Sequence, residues 1–501
     1  MVNIDMSINI VKISRTKTQL ITTTFVFILL IGLLGLIFSN NINQITAEIY
    51  TRVFSWIGWL LIGWCVWSWY RLRYELLCPY IIFILVAFIF MYGQSLLLAF
   101  DIIPEQRDIR RMFDIVSIFQ AQIFTCIGLG CFHLGALIFA KPKSYSPNNH
   151  IIDEKKIRLS FQAIKIVGWT LFLVSVGPFL YNLIQTLKLV YRAGYGGLYD
   201  PRLVTTGLSI NKLSDFVGDF FIPALFCLLV VYSKNLFMRN VILFLAILKI
   251  LSNLYIGGRS PILVMIICVL CIWHYCVERI TINKATILLV AGYFFISMLS
   301  IVANLRGMAE RDLLLYWTVF LDSLGKDNLF ILTIAEMGGS MSPLVWVMKL
   351  VPSYYDFLYG SSYLYAFSTI IPNLGFWDLH PGALNANLGN WLQMALGLTY
   401  GPGFSPAAEA YRNFGWAGFG ALFVLGSFYG WFFSLIHRNT ALKKPELLCI
   451  VFILLSLTLM TNRNSFIATI RAVFYYALPI YLFIQLSKRY LIRHAVLKRR
   501  K

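Results

Sequence analysis

One apolar run of about 20 residues follows another along this chain, and that succession limits the possible folds more than anything else. The runs lie near 20–38, 51–70, 79–100, 116–140, 161–187, 214–232, 240–257, 260–277, 286–304, 413–436, 446–462 and 466–486. Inside a bilayer each backbone N–H and C=O must find a partner within its own segment, so such runs become helices. The reading is an all-α, polytopic integral membrane protein of about twelve transmembrane helices. Composition agrees: 59% hydrophobic residues, 13% charged residues and a mean hydropathy of +0.74 lie outside the soluble range. The first run, Leu20–Phe38, lacks a small-residue cleavage site and reads as a retained helix rather than a removed signal.

A net charge of +20 raises the question of nucleic acid, but the basic residues are scattered among short loops. Topology explains them better. With the N-terminus cytoplasmic, Arg71 and Arg73, Lys141 and Lys143, Lys155 to Arg158, Lys234 and Arg239, and Arg279 and Lys284 all fall inside. Arg438, Lys443, Lys444 and the basic tail from Lys488 to Lys501 join them, so both termini are expected in the cytoplasm. The exception is 101–115, where Arg107, Arg110 and Arg111 stand outside among acids. Most of the nine cysteines lie within apolar runs, which speaks against a disulfide framework. Cys268 and Cys271 read as helix packing.

Residues 305–412 break the pattern. They are too polar and too rich in Gly and Pro to cross a bilayer, yet keep short apolar runs at Leu313–Leu321 and Leu344–Val351. A loop this long is uncommon unless it is functional. The expected organisation is an N-terminal transmembrane bundle over 1–304 and a large periplasmic loop with short interfacial helices over 305–412. C-terminal helices and a basic tail over 413–501 complete it.

The outer face carries arginines that topology does not require. Arg259 sits on a Gly-Gly turn, Arg306 at a helix exit, Arg412 at a helix entry and Arg463 between the last two runs. Guanidinium is a planar, permanently charged fork suited to phosphate oxygens, so these four are candidates to hold a diphosphate. The competing role is interfacial anchoring. Two carboxylates are candidate general bases. Glu409 lies three residues before Arg412 near a helix start, where a plain ion pair is the alternative. Glu336 ends an apolar run and needs a partner. Tyr363, Tyr411 and Asn413 are candidate glycan contacts. Zinc, P-loop and nucleophile-elbow motifs are missing, and no Asp-x-Asp occurs, so neither metal nor cofactor is expected.

Three stretches carry a resemblance: Gly257-Gly258-Arg259-Ser260; Asn304-Leu305-Arg306-Gly307 through Glu336-Met337-Gly338 and Tyr359-Gly360-Ser361-Ser362-Tyr363-Leu364 to Ile371-Pro372-Asn373; and Gly403-Phe404-Ser405-Pro406 to Gly418. With the topology, they make the chain similar to the O-antigen polymerase (Wzy) family. The resemblance implies a GT-C-like glycosyltransferase of the bacterial inner membrane. It would move a growing glycan from undecaprenyl diphosphate to a new lipid-linked repeat unit on the periplasmic side. Its partners would be undecaprenyl diphosphate-linked oligosaccharide, membrane lipid, a flippase and a chain-length regulator, with no nucleic acid. Topology alone also fits an O-antigen ligase. A lipid-linked oligosaccharide flippase is a third reading: Lys249 within a span favours it, whereas the lack of a visible internal repeat does not.

Overall fold

The computed structural model describes residues 2–142, 154–194, 209–305, 318, 328–371, 373, 377–398 and 400–500. Arg306 lies outside them. The described residues form helices and no strands. In chain order they include α1 (Val2–Asn40), α2 (Gln44–Arg73), α3 (Pro79–Leu98), α4 (Ile115–Phe139) and α5 (Glu154–Ala193). Next come α6 (Ser209–Gly218), α7 (Phe221–Val231), α8 (Leu236–Ile256), α9 (Arg259–Cys276) and α10 (Ile282–Leu305). Short helices follow: α11 (Leu329–Gly338), α12 (Ser342–Leu350), α13 (Ser361–Ser368) and α14 (Pro406–Phe414). The chain ends in α15 (Phe419–Phe433), α16 (Pro445–Thr458), α17 (Ile467–Arg471) and α18 (Leu478–Arg500). Among the described residues, 12 segments are long and apolar enough to cross a membrane. The chain is a multi-pass, all-α membrane protein.

Two compact units emerge, each gathered from distant stretches. One comprises 1–150, 334–437 and 457–475; the other comprises 151–333, 438–456 and 476–501.

The first unit is built on α4. Helix α15 lies parallel to it: Leu422 meets Gly128, Gly426 meets Phe132 and Gly430 meets Ala136, four residues apart on both helices. A Cβ on Gly426 would stand 1.8 Å from the Phe132 carbonyl oxygen. Only glycine allows that approach, and close backbone contact is what holds helices together where apolar burial gains little over lipid. His133 of α4 is fully buried and bonds Ser68 Oγ of α2 at 2.7 Å and Tyr80 OH of α3 at 2.9 Å, so both ring nitrogens are used. At the far end Arg73 donates to the carbonyls of Lys141 and Ile436, drawing the ends of α2, α4 and α15 together.

The stretch 329–350 is one of the 12 apolar segments, yet its described contacts are not those of a span. Gln94, in the last turn of α3, donates to the carbonyl of Ala335 at 2.9 Å. Glu336 faces Arg107 at 4.0 Å, Ser95 contacts the Met341 sulfur, and Trp346 packs edge-on against Phe113. Lys349 then pairs with Asp114, the N-cap of α4. The 15 residues 335–349, crossing the membrane as a helix, would advance about 22 Å. Instead, everything from Ala335 to Lys349 touches the same end of the α3–α4 hairpin. Residues 335–349 lie across that end, interrupted by a 3-10 turn at Gly339–Met341.

In the second unit, α5 packs against α7 and α18. Glu446 accepts from Ser160 at 2.7 Å and pairs with Lys488, tying α5, α16 and α18 at one end. Further along, α5 contains Pro178, and Asn182 accepts from Ser214 of α6 at 2.9 Å.

Candidate functional site

The first unit contains a polar knot formed by broken helices. Ser405 caps α14 by accepting from the Ala408 N–H at 3.2 Å, and Pro406 occupies the first turn, where no amide hydrogen is needed. Glu409 follows in that turn, next to the positive end of the helix dipole. The residue is fully buried. One carboxylate oxygen accepts from Ser362 Oγ at 2.8 Å and the other from the Phe466 N–H at 2.5 Å. Asn413, one turn later, donates to Ser362 Oγ and to the Glu409 carbonyl, both at 2.8 Å. Its own carbonyl accepts from the Gly360 N–H at 3.0 Å. Gly360 stands at φ 89°, which suits glycine, and starts α13 so that Ser362 points at the carboxylate.

Backbone bonds lock the same three stretches together. Leu358 and Tyr359 donate to the carbonyls of Arg412 and Asn413, and Phe404 donates to that of Arg463. Glu409 thus joins segments 358–362, 404–413 and 463–466. The non-helical backbone of these segments is buried by protein and lies beside a cavity. A cavity of about 20 Å³ adjoins Glu409, with Thr125, Tyr363, Asn462, Asn464 and Phe466 in its wall.

The family model described as O-antigen polysaccharide polymerase Wzy matches residues 20–494. The chain belongs to that family. Its role is therefore that of an O-antigen polymerase, an enzyme of polysaccharide biosynthesis whose family acts on lipid-linked oligosaccharide repeat units in membranes. No curated protein and no solved structure matches it.

The sequence-predicted residues of this Wzy-family chain fall into distinct settings. Glu409 and Arg412 share α14 but part company. Arg412 donates to the Asp356 carbonyl, and its guanidinium stacks 4.5 Å from the Trp391 ring and 5.9 Å from that of Tyr355. Arg463 is exposed, runs alongside Gly403, and precedes Asn464 of the cavity wall. Arg259 opens α9 in the second unit, after Gly257 closes α8 at φ 93°. Glu336 remains about one-fifth exposed beside Arg107, which is about half exposed. Gln94 holds that corner by donating to the carbonyls of Arg107 and Ala335 and accepting from the Ile109 N–H.

Of the candidate glycan contacts, Asn413 and Tyr411 are buried and Tyr363 is half-buried with its hydroxyl enclosed. Asn413 is inside the knot. Tyr411 packs among Phe124, Phe357 and Trp416. Tyr363 stacks on Phe414 and meets Phe466 edge-on. Its phenol is pushed well above the usual value, first by burial and then by the Glu409 carboxylate. Sequence reasoning missed Ser362, Thr125 and Gln94 as site residues. Ser362 stood in one of the family-like stretches, and Arg107 stood out as a basic residue on the wrong face. Thr125 and Gln94 gave no signal. Among the described residues, no group of His, Cys, Asp and Glu could hold a metal ion.

Proposed function

We propose that this polymerase works on the periplasmic side of the bacterial inner membrane, with both termini in the cytoplasm and undecaprenyl diphosphate-linked glycans as donor and acceptor. The acceptor hydroxyl oxygen bonds to the anomeric carbon of the growing chain. The bond from that carbon to the diphosphate breaks, its electron pair leaves with the diphosphate, and the hydroxyl proton goes to Glu409. The observation that carries this reading is a carboxylate at a helix break, beside a cavity whose wall includes Asn464, the exposed residue next to Arg463. Arg463 receives the diphosphate and Arg412 is assigned to it as well; Arg259 and Arg306 are separate candidates for the same chemistry. Tyr363, Tyr411 and Asn413 are the residues assigned to the glycan side. A flippase supplies the substrate and a regulator sets chain length.

A second reading makes Glu336 the base. Its partial exposure beside Arg107 supports this, because a sugar hydroxyl reaches it without any rearrangement. Complementation of a polymerase-deficient strain separates the two. Glu409→Gln is expected to give glycan of a single repeat unit while Glu336→Gln keeps a full ladder. The reverse pattern transfers the role to Glu336, and full ladders from both remove carboxylate base catalysis by either residue.

A further inference from the structure

We propose that the cavity beside Glu409 binds one water molecule, held by Tyr363 and Thr125, and that this water carries the acceptor proton to the carboxylate. Size comes first. A water needs about 10–15 Å³ of such space and several polar partners, and the cavity offers about 20 Å³. A sugar ring is far too large for it. The Tyr363 hydroxyl and Thr125 Oγ1 are both buried and have no hydrogen-bond partner in the protein. Both residues line this cavity together with Glu409. Orphaned hydroxyls are rare in protein interiors because each forfeits the bonds it made to solvent. Two at one small cavity, beside a carboxylate with lone pairs to spare, are accounted for together by a shared water.

Part of the remaining wall is apolar, including Phe83, Leu129 and Leu422, and its other polar side chains, Tyr429, Thr461, Asn462, Asn464 and Thr469, already bond within the protein. Asn464 belongs to the wall and is also exposed, which gives the water an outlet towards Arg463. This deepens the Glu409 reading and rests on it: the carboxylate is fully buried, so a sugar hydroxyl does not touch it. The hydroxyl gives its proton to the water as the new C–O bond forms, and the water passes one of its own to Glu409. The water is regenerated unchanged. Tyr363 and Thr125 are positioning residues in this step.

The test uses the full-length protein in lipid nanodiscs, with Tyr363→Phe, Thr125→Val and Glu409→Gln. Thermal unfolding and elongation of lipid diphosphate-linked repeat units are measured in H2O and D2O. We expect both hydroxyl deletions to lower the melting temperature, because the water loses a partner. We expect elongation to slow roughly tenfold at unchanged KM, with an altered solvent isotope effect. A dry cavity gives the opposite sign: deleting an orphaned hydroxyl relieves its desolvation, so both variants would melt higher, and the water site is overturned. Lower melting with normal elongation and isotope effect, while Glu409→Gln is inactive, overturns the relay and leaves the Glu409 reading intact. An active Glu409→Gln overturns that reading and the relay with it, whatever the melting temperatures.

Discussion

Each unit holds an acid near the start of a helix, and the two acids are handled in opposite ways. In the first unit Glu409 is fully enclosed, and each of its oxygens accepts a hydrogen bond from a different segment. In the second, Asp219 sits exposed between α6 and α7 and accepts from the Tyr476 hydroxyl at 2.8 Å. Lys249 of α8 attracts it without closing into an ion pair and stands 4.8 Å from the Phe179 ring instead. An enclosed carboxylate with a hydrogen bond on each oxygen fixes geometry, since removing any partner leaves a buried polar group unsatisfied. An open acid and a loosely held amine fix little. The difference teaches where this chain spends polar groups on architecture and where it leaves them free to meet something else.

The comparison breaks most readily at Glu409. Replacing it with alanine strands the Ser362 hydroxyl and the Phe466 amide in an apolar interior, so Glu409→Ala should destabilise by about 3 kcal/mol in a detergent unfolding assay. Asn413→Ala removes the link between Gly360 and Ser362 and should cost about 2 kcal/mol. Lys249→Met should change stability by no more than about 0.5 kcal/mol, because the long stem is kept and no ion pair is lost. If Lys249→Met proved as damaging as Glu409→Ala, the contrast between an architectural and an open cluster would be gone.

How much of this was legible in the sequence follows from how far each interaction reaches. Helical spans are written in local hydropathy, and the all-α, multi-pass class could be read directly. The stretch 334–350 shows the limit. Its hydropathy is that of a span, and only the pairings of Glu336 with Arg107 and Lys349 with Asp114 place it across the end of a hairpin. Its Gly-rich and Pro-rich neighbourhood had already suggested a loop. The polar knot was half legible. Ser405-Pro406 announces the start of α14 and puts Glu409 in its first turn, but Ser362 and Phe466 lie 47 and 57 residues away in the chain. Arg412 was expected beside Glu409 because residues three apart share a helix face. That spacing leaves about 60° between the two side chains, enough for one to enter the knot and the other to stack on Trp391.

Another small effect is expected at the rim, where Asp114 and Lys349 hold the far end of 335–349. Partial burial alone would raise the Asp114 carboxyl. The bond from the Lys349 ammonium and those from the Ser117 amide and hydroxyl outweigh it and bring the carboxyl down from 3.8 to about 2. A carboxyl depressed by folding adds stability above its unfolded value, and that addition disappears as pH falls from 3.8 through about 2. The side chains are 37% and 51% exposed, so solvent and salt screening hold the gain to about 1 kcal/mol or less. Asp114→Asn should therefore melt slightly below the parent protein at pH 7 and merge with it near the acid end of that window. High salt at pH 7 should narrow the same gap, whereas the deficit of Glu409→Ala, sealed from solvent, should be indifferent to salt. A salt-insensitive Asp114→Asn deficit would mean that this rim contact belongs with the enclosed cluster rather than with the exposed one.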